Sequence, residues 1–308
     1  IMNSIAVFAK KEFKTAYKDK VFLVIVLLFL LMSIASVYIG STTKSAEMQA
    51  YQDIVSMAQS QGSAIPTAPE IYPLAILSNI IEYVTMIGAV LAIFLGFDAF
   101  SGERENGTLR LLLTRPFYRD QIITGKLAGA GMIIGALLSV TLLFNLGLFT
   151  AATGMIPNLS EILRLALFMV LAFVYMMSFY IATLFVSLKT RDRAFGFLIM
   201  MIVWIFISFV IPQLADTQRN FAYALSSISS TVTQVPTDTA ISRTIELFSP
   251  AVQFKNISND LLQVVSNTAL VSVFSIIKKD ILGLVTIMLP TIIFLIFSYT
   301  SVQKEDVL

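Results

Sequence analysis

The sequence predicts an all-α integral membrane protein: six transmembrane helices, an N-terminal interfacial amphipathic helix, and a cytoplasmic helical hairpin between spans two and three. Three observations carry this reading. The 308-residue chain is 57% hydrophobic and 13% charged, against about 25% charged residues in a soluble domain. Six segments are long and apolar enough to cross roughly 30 Å of hydrocarbon. No segment shows the ten-residue alternation of a membrane barrel strand, so helices, which satisfy their own backbone in lipid, make the spans.

The leader, residues 2–20, carries Lys10, Lys11, Lys14, Lys18 and Lys20, while Ile5, Ala9, Phe13 and Ala16 recur at helical spacing. That pattern predicts an amphipathic helix in the cytoplasmic headgroup layer; a plain basic anchor is the alternative. Span one, 21–40, is free of charge, and no small-residue cleavage site follows it, so it reads as a signal anchor. Residues 41–71 form a polar extracytoplasmic segment. Span two, 72–97, holds Glu82 with Asn79 close by. An intramembrane carboxylate is a functional candidate by default, the alternative being a place near the outer headgroups. Span three, 127–152, contains Asn145, which favours an interhelical hydrogen bond over a substrate contact. Spans four, 165–188, and five, 194–214, are joined by a short basic loop with Lys189, Arg191 and Arg193. A second outer segment, 215–280, includes an apolar stretch, 261–277, suited to packing on the outer leaflet or re-entering it. Span six covers 281–302. The whole chain, 1–308, reads as one transmembrane domain.

Basic residues set the orientation. Lys10, Lys11, Lys14, Lys18 and Lys20 share one side with Arg104, Arg110, Arg115, Arg119, Lys126, Lys189, Arg191, Arg193 and Lys304; the rest of the 21 Lys and Arg are spread over the longer loops opposite. Both termini are therefore expected in the cytoplasm of a cell-membrane, multi-pass protein. The chain has no Cys and no His, which excludes disulfides, thiolate or imidazole metal sites, and His-based catalysis. Neither a catalytic residue nor a metal site is expected. A net charge of +2 gives no footprint for nucleic acid.

Charge gathers in one place, FSGERENGTLRLLLTRPFYRDQIITGK, residues 100–126. Ser101 or Asp98 is placed to cap a helix starting near Glu103, Gly107 marks a bend, and Pro116 suits the first turn of a following helix. Lys126 is expected to snorkel at the start of span three. The positive-inside rule explains the Arg residues of this stretch but not Glu103 and Glu105. Mixed charge on a rigid shape is what a docking surface needs; a solvated loop is the alternative.

Glu103-x-Glu105-x-Gly107-Thr108, then Leu111-Leu112, Pro116, Arg119 and Gly125-Lys126, resembles the signature of the ABC-2 type transporter permeases. Lys11-Glu12 before span one and Ser249-Pro250 before span six are similar to their pattern too, in the branch of sodium, drug and copper-enzyme-maturation permeases. The resemblance implies a prokaryotic permease subunit that is not itself an enzyme. It implies a cytoplasmic ABC ATPase dimer as partner, which holds ATP and Mg, and a second permease subunit beside this one in the bilayer. It assigns docking and coupling to Glu103, Arg104, Glu105, Gly107, Thr108, Arg110, Arg115, Pro116 and Arg119, with a second contact at Lys189, Arg191 and Arg193. The chain itself lacks a G-x-x-x-x-G-K-[ST] loop: Gly125-Lys126 has neither the upstream Gly nor the following Ser/Thr. Two other readings stand beside this one. One is a secondary carrier or channel that uses Glu82. The other is an ABC-like subunit that passes mechanical work to an outer partner and translocates nothing itself.

Overall fold

Helices are the only regular elements among the described residues of the computed structural model, which are 2–18, 20–62, 73–105, 119–154, 156–190, 192–227, 238–263 and 273–304. In chain order these are α1 (Met2–Lys18), α2 (Lys20–Ser60), a 3₁₀ turn (Pro73–Leu77), α3 (Asn79–Tyr83), a π turn (Val84–Gly88) and α4 (Ala89–Glu105). Then follow α5 (Arg119–Thr153), α6 (Leu159–Lys189), α7 (Arg193–Ile205), a second π turn (Phe206–Val210) and α8 (Ile211–Ser227). The short helices α9 (Ala240–Glu246), α10 (Pro250–Leu261) and α11 (Val273–Lys279) precede α12 (Ile281–Lys304).

Six helical stretches are long and apolar enough to cross a membrane: Phe22–Ser60, Leu74–Phe100, Asp120–Ala152, Leu159–Lys189, Ala194–Tyr223 and Ile281–Val302. All six expected spans are present, and most run past the limits read from hydropathy. α2 continues helical through the polar residues up to Ser60. Span two does not break at Asp98–Glu103 for a capped helix, as the sequence had led us to expect; α4 runs on unbroken to Glu105. Hydropathy stops where side chains become polar, whereas backbone hydrogen bonding continues until something interrupts it. Of the 261–277 stretch, residues 264–272 lie outside the described set.

Local sequence starts several helices. Asn158 opens α6 with a capping box, its backbone N–H donating to Glu161 Oε2 at 2.8 Å. Asp192 caps α7 by accepting from Phe195 N–H at 3.2 Å. The Ser249-Pro250 pair is a helix start: Ser249 caps α10 and Pro250 occupies its first turn.

Spans two and four form the centre. About 61% of each is buried, against 17% for spans five and six, which face outward. Leu91, Ala92 and Ile93 of α4 and Phe168, Ala172, Tyr175, Met176 and Leu184 of α6 are fully enclosed. Gly96 permits this contact: a Cβ there would stand 2.6 Å from the Tyr180 carbonyl oxygen. Close backbone approach through small residues is how helices associate where lipid removes the hydrophobic drive. The Ser187 hydroxyl adds a bond to the Phe97 carbonyl, 3.0 Å across the same interface.

Both π turns are held from outside. A π turn frees a carbonyl from the i→i−4 ladder. The Tyr175 hydroxyl donates to the Thr85 carbonyl in the first, at 3.0 Å, and the Ser249 hydroxyl donates to the Ile207 carbonyl in the second, at 2.7 Å. α10 links the two sites. Its Phe254 stacks on the Tyr175 ring with centroids 4.6 Å apart and also meets Phe168.

Gly96→Ala is expected to force α4 and α6 apart at a backbone contact and to cost about 1–3 kcal/mol. Gly131→Ala, whose new Cβ would meet only the Phe173 ring edge at 3.6 Å, should be near neutral. Thermal midpoints of the two variants in detergent test the difference.

Candidate functional site

The expected docking residues that are described lie at the charged ends of spans two to five. Glu103, Arg104 and Glu105 form the end of α4, Arg119 begins α5, Lys189 ends α6 and Arg193 begins α7. Gly107, Thr108, Arg110, Arg115, Pro116 and Arg191 lie outside the described residues. Arg104 reaches across and donates from its guanidinium to the Thr190 carbonyl at 2.6 Å. That bond joins the end of α4 to the residue after α6, at the ends of the central pair. It also lies directly after Lys189, within the second expected contact.

Lys126 does not snorkel. Its side chain is 1% exposed and forms an ion pair with Glu12 Oε1 at 3.0 Å, while Glu12 is 20% exposed. The ammonium also donates to the Ala99 carbonyl and lies over the Phe100 ring, 5.0 Å from its centroid. The Lys126 carbonyl accepts from the Tyr180 hydroxyl at 3.2 Å. The reason is α1, which crosses the base of α5 and shuts Lys126 off from the headgroup layer. Gly129 makes the crossing possible, since a Cβ there would sit 2.6 Å from Glu12 Cβ. A small cavity behind the pair is lined on its polar side by Glu12, Thr15, Asp98, Lys126 and Tyr180. One ion pair thus gathers α1, α4, α5 and α6. Hydropathy gave no sign of it, because its partners stand 114 residues apart.

The intramembrane polar residues have protein partners. Asn145 is fully buried in α5 and donates to Ser33 Oγ of α2 at 3.3 Å and to the Thr141 carbonyl at 2.7 Å. Asn79 of α3 donates to the Ser36 carbonyl of α2 at 3.5 Å. Glu82, about half exposed, forms an ion pair at 2.6 Å with Lys255 of α10.

Charged groups also tie together the helices between spans five and six. Arg219 binds Asp216 at 2.5 Å, Asp238 at 2.8 Å, and Glu246. Lys279 binds Asp260 at 2.6 Å. Next to it, burial pushes the Asp280 carboxyl above its usual range; Lys279 opposes this and Asp260 adds to it.

Two predictions follow from these charges. Glu12→Gln leaves the fully enclosed Lys126 ammonium without its counter-charge and is expected to cost about 3 kcal/mol, the low end for a broken buried pair, since Ala99 and Phe100 still face it. Lys126→Met leaves only the more exposed Glu12 and should cost less, and the double variant should recover part of the loss; a double-mutant cycle on thermal midpoints checks this. At Asp280 the folded state binds the proton more tightly than the unfolded state. The folded protein therefore loses stability as pH rises from the unfolded value of 3.8 through the raised folded value. Asp280→Asn should flatten the midpoint-against-pH curve over that window and raise stability at neutral pH.

Comparison with known proteins places these features in a lineage. A family profile described as ABC-2 family transporter protein matches residues 6–307. The chain is 29% identical over 133 residues to the probable ABC transporter permease protein NosY of Stutzerimonas stutzeri, a match covering 43% of this chain and 41% of that protein. It is likewise 29% identical over 126 residues to the probable ABC transporter permease protein NosY of Pseudomonas aeruginosa, covering 41% of this chain and 38% of that one. The chain thus spans about two fifths of the length of the curated relatives it matches.

Proposed function

Because the chain belongs to the ABC-2 family of transporter proteins, we propose that it is the membrane-spanning permease subunit of an ATP-driven exporter, energised by a separate ABC ATPase. The observation that carries this reading is the Arg104–Thr190 bond. It ties the end of α4 to the residue that follows α6, and these two helices belong to the two most buried spans. A partner pressing on residues 100–126 and 189–193 would therefore move α4 and α6 together.

In this reading the chain binds no cofactor. ATP and Mg belong to the ATPase dimer, two permease subunits stand side by side in the cell membrane of a prokaryote, and both termini lie in the cytoplasm. Glu103, Glu105, Arg110, Arg115 and Arg119 supply charge-assisted contacts to the ATPase surface, with Lys189, Arg191 and Arg193 as the second contact. Gly107, Thr108 and Pro116 belong to the same docking and coupling set. Lys126 and Glu12 hold the base of span three against α1 while it moves. A carrier driven through Glu82 is less well supported, since that carboxylate is engaged by Lys255 at 2.6 Å.

Reconstitution with the ATPase subunit tests the proposal. Glu105→Ala and Arg110→Ala should each lower permease-dependent ATP turnover by about tenfold, the loss of one charged hydrogen bond of about 1.5 kcal/mol, with membrane insertion intact. Arg104→Ala should uncouple as well by releasing Thr190. Unchanged turnover in all three variants would overturn the assignment.

A further inference from the structure

α1 presents a second surface that the coupling role does not use. Ala9 is buried against α5 and Glu12 is held by Lys126, which fixes the rotation of the helix about its own axis. At 100° per residue, Lys10, Lys14 and Lys18 then fall within roughly 80° of one another on the side opposite Ala9 and Glu12. All three are exposed, and none has an acidic partner among the described residues. The apolar side chains of Val7 and Phe13 beside them are exposed as well, at 67% and 41%.

The depth of this surface is set twice. α2, the first span, begins only two residues after α1 ends. On its other side α1 touches Lys126 and Gly129, within the first turns of span three, which begins at Asp120. The lysine row therefore lies at the level of the headgroups, with apolar side chains to enter the acyl boundary and ammonium groups at the height of the phosphates.

We infer that the Lys10–Lys14–Lys18 face of α1 is a binding surface for anionic phospholipid headgroups, held at a fixed rotation by the Glu12–Lys126 pair. A helix free to roll would present whatever face the bilayer selected. This one is locked, so its three cations meet the headgroup layer as a preset row, and bound lipid bears on the base of span three through Glu12. The inference rests on the multi-pass reading alone and not on ATP coupling.

The test uses the full chain in detergent, with phosphatidylglycerol and phosphatidylcholine of the same acyl chains as probes and bound lipid counted by native mass spectrometry. Phosphatidylglycerol should be retained preferentially and released as salt rises. A lysine near an anionic surface contributes about fivefold in affinity, so K10Q/K14Q/K18Q should lose roughly a hundredfold. K10R/K14R/K18R should retain binding, and K278Q, at the outer base of the last span, should stay within about twofold of wild type. Should the triple glutamine variant fail to fold, K14Q alone is expected to lose about fivefold in the same assay. Equal retention of the two lipids, unchanged binding by the glutamine variants, or an equal loss in K278Q overturns the inference. So does a triple variant that keeps its lipid but no longer co-purifies with the ATPase subunit, because the face would then belong to a protein partner.

Discussion

The half of the molecule built around α1 and the start of span three depends on one enclosed charge. Lys126 is 1% exposed, and an ammonium in such a place persists only if its surroundings replace the water it has lost. Glu12 supplies the counter-charge, the Ala99 carbonyl an acceptor, and the Phe100 ring a negative face. Glu12 belongs to α1, while Ala99 and Phe100 are neighbours in one turn of α4, so the need to satisfy one group of α5 fixes α1, α4 and α5 relative to one another. Tyr180 adds α6 through the Lys126 carbonyl. The energetic value of the pair is modest compared with what it specifies, since an apolar replacement of similar volume would bury as well but would fix no register.

The opposite half follows a different logic. Spans two and five each contain a π turn, and in each the carbonyl that leaves the helical ladder is recovered by a hydroxyl from another element, Tyr175 for Thr85 and Ser249 for Ile207. α10 stands between them, capped by Ser249 and stacked on Tyr175 through Phe254. Glu82 belongs to this arrangement, as its bond to Lys255 pins α10 to the start of span two. A carboxylate that hydropathy marked as a pathway candidate is thus part of the tether of an outer helix.

Much of the fold was legible because lipid imposes strict rules. Six apolar runs had to be helices, and all six are. Ser249-Pro250 was legible as a motif and is found as a helix start. Asn145 behaves as the interhelical donor that its surroundings favoured. The remainder was hidden for specific reasons. The end of span two was misjudged because Ser101 or Asp98 reads as the cap of a helix starting near Glu103, whereas helical hydrogen bonding continues past polar side chains to Glu105. Lys126 read as a snorkelling residue because it borders an apolar run; what buries it is α1, more than a hundred residues away in sequence. Arg104 was singled out for its charge, but its bond to a main-chain carbonyl after α6 has no signature in any local pattern.

In the proposed coupling, these two halves would divide the labour of transmission. At the inner end, side chains clamp helix to helix and helix to loop, and the Arg104–Thr190 and Lys126–Glu12 contacts leave α4, α5, α6 and α1 little freedom to move singly. Toward the outer end, the ladders of spans two and five are interrupted, and a helix with a π turn bends there more readily than at a complete turn. A displacement entering at residues 100–126 would be carried along α4 and α6 as a unit and meet its first compliant point at Val84–Gly88, where Tyr175 and α10 take up the contact. In the proposed coupling, the π turn that costs a backbone hydrogen bond would mark where rigid transmission gives way to rearrangement, and the Tyr175 hydroxyl keeps that carbonyl satisfied.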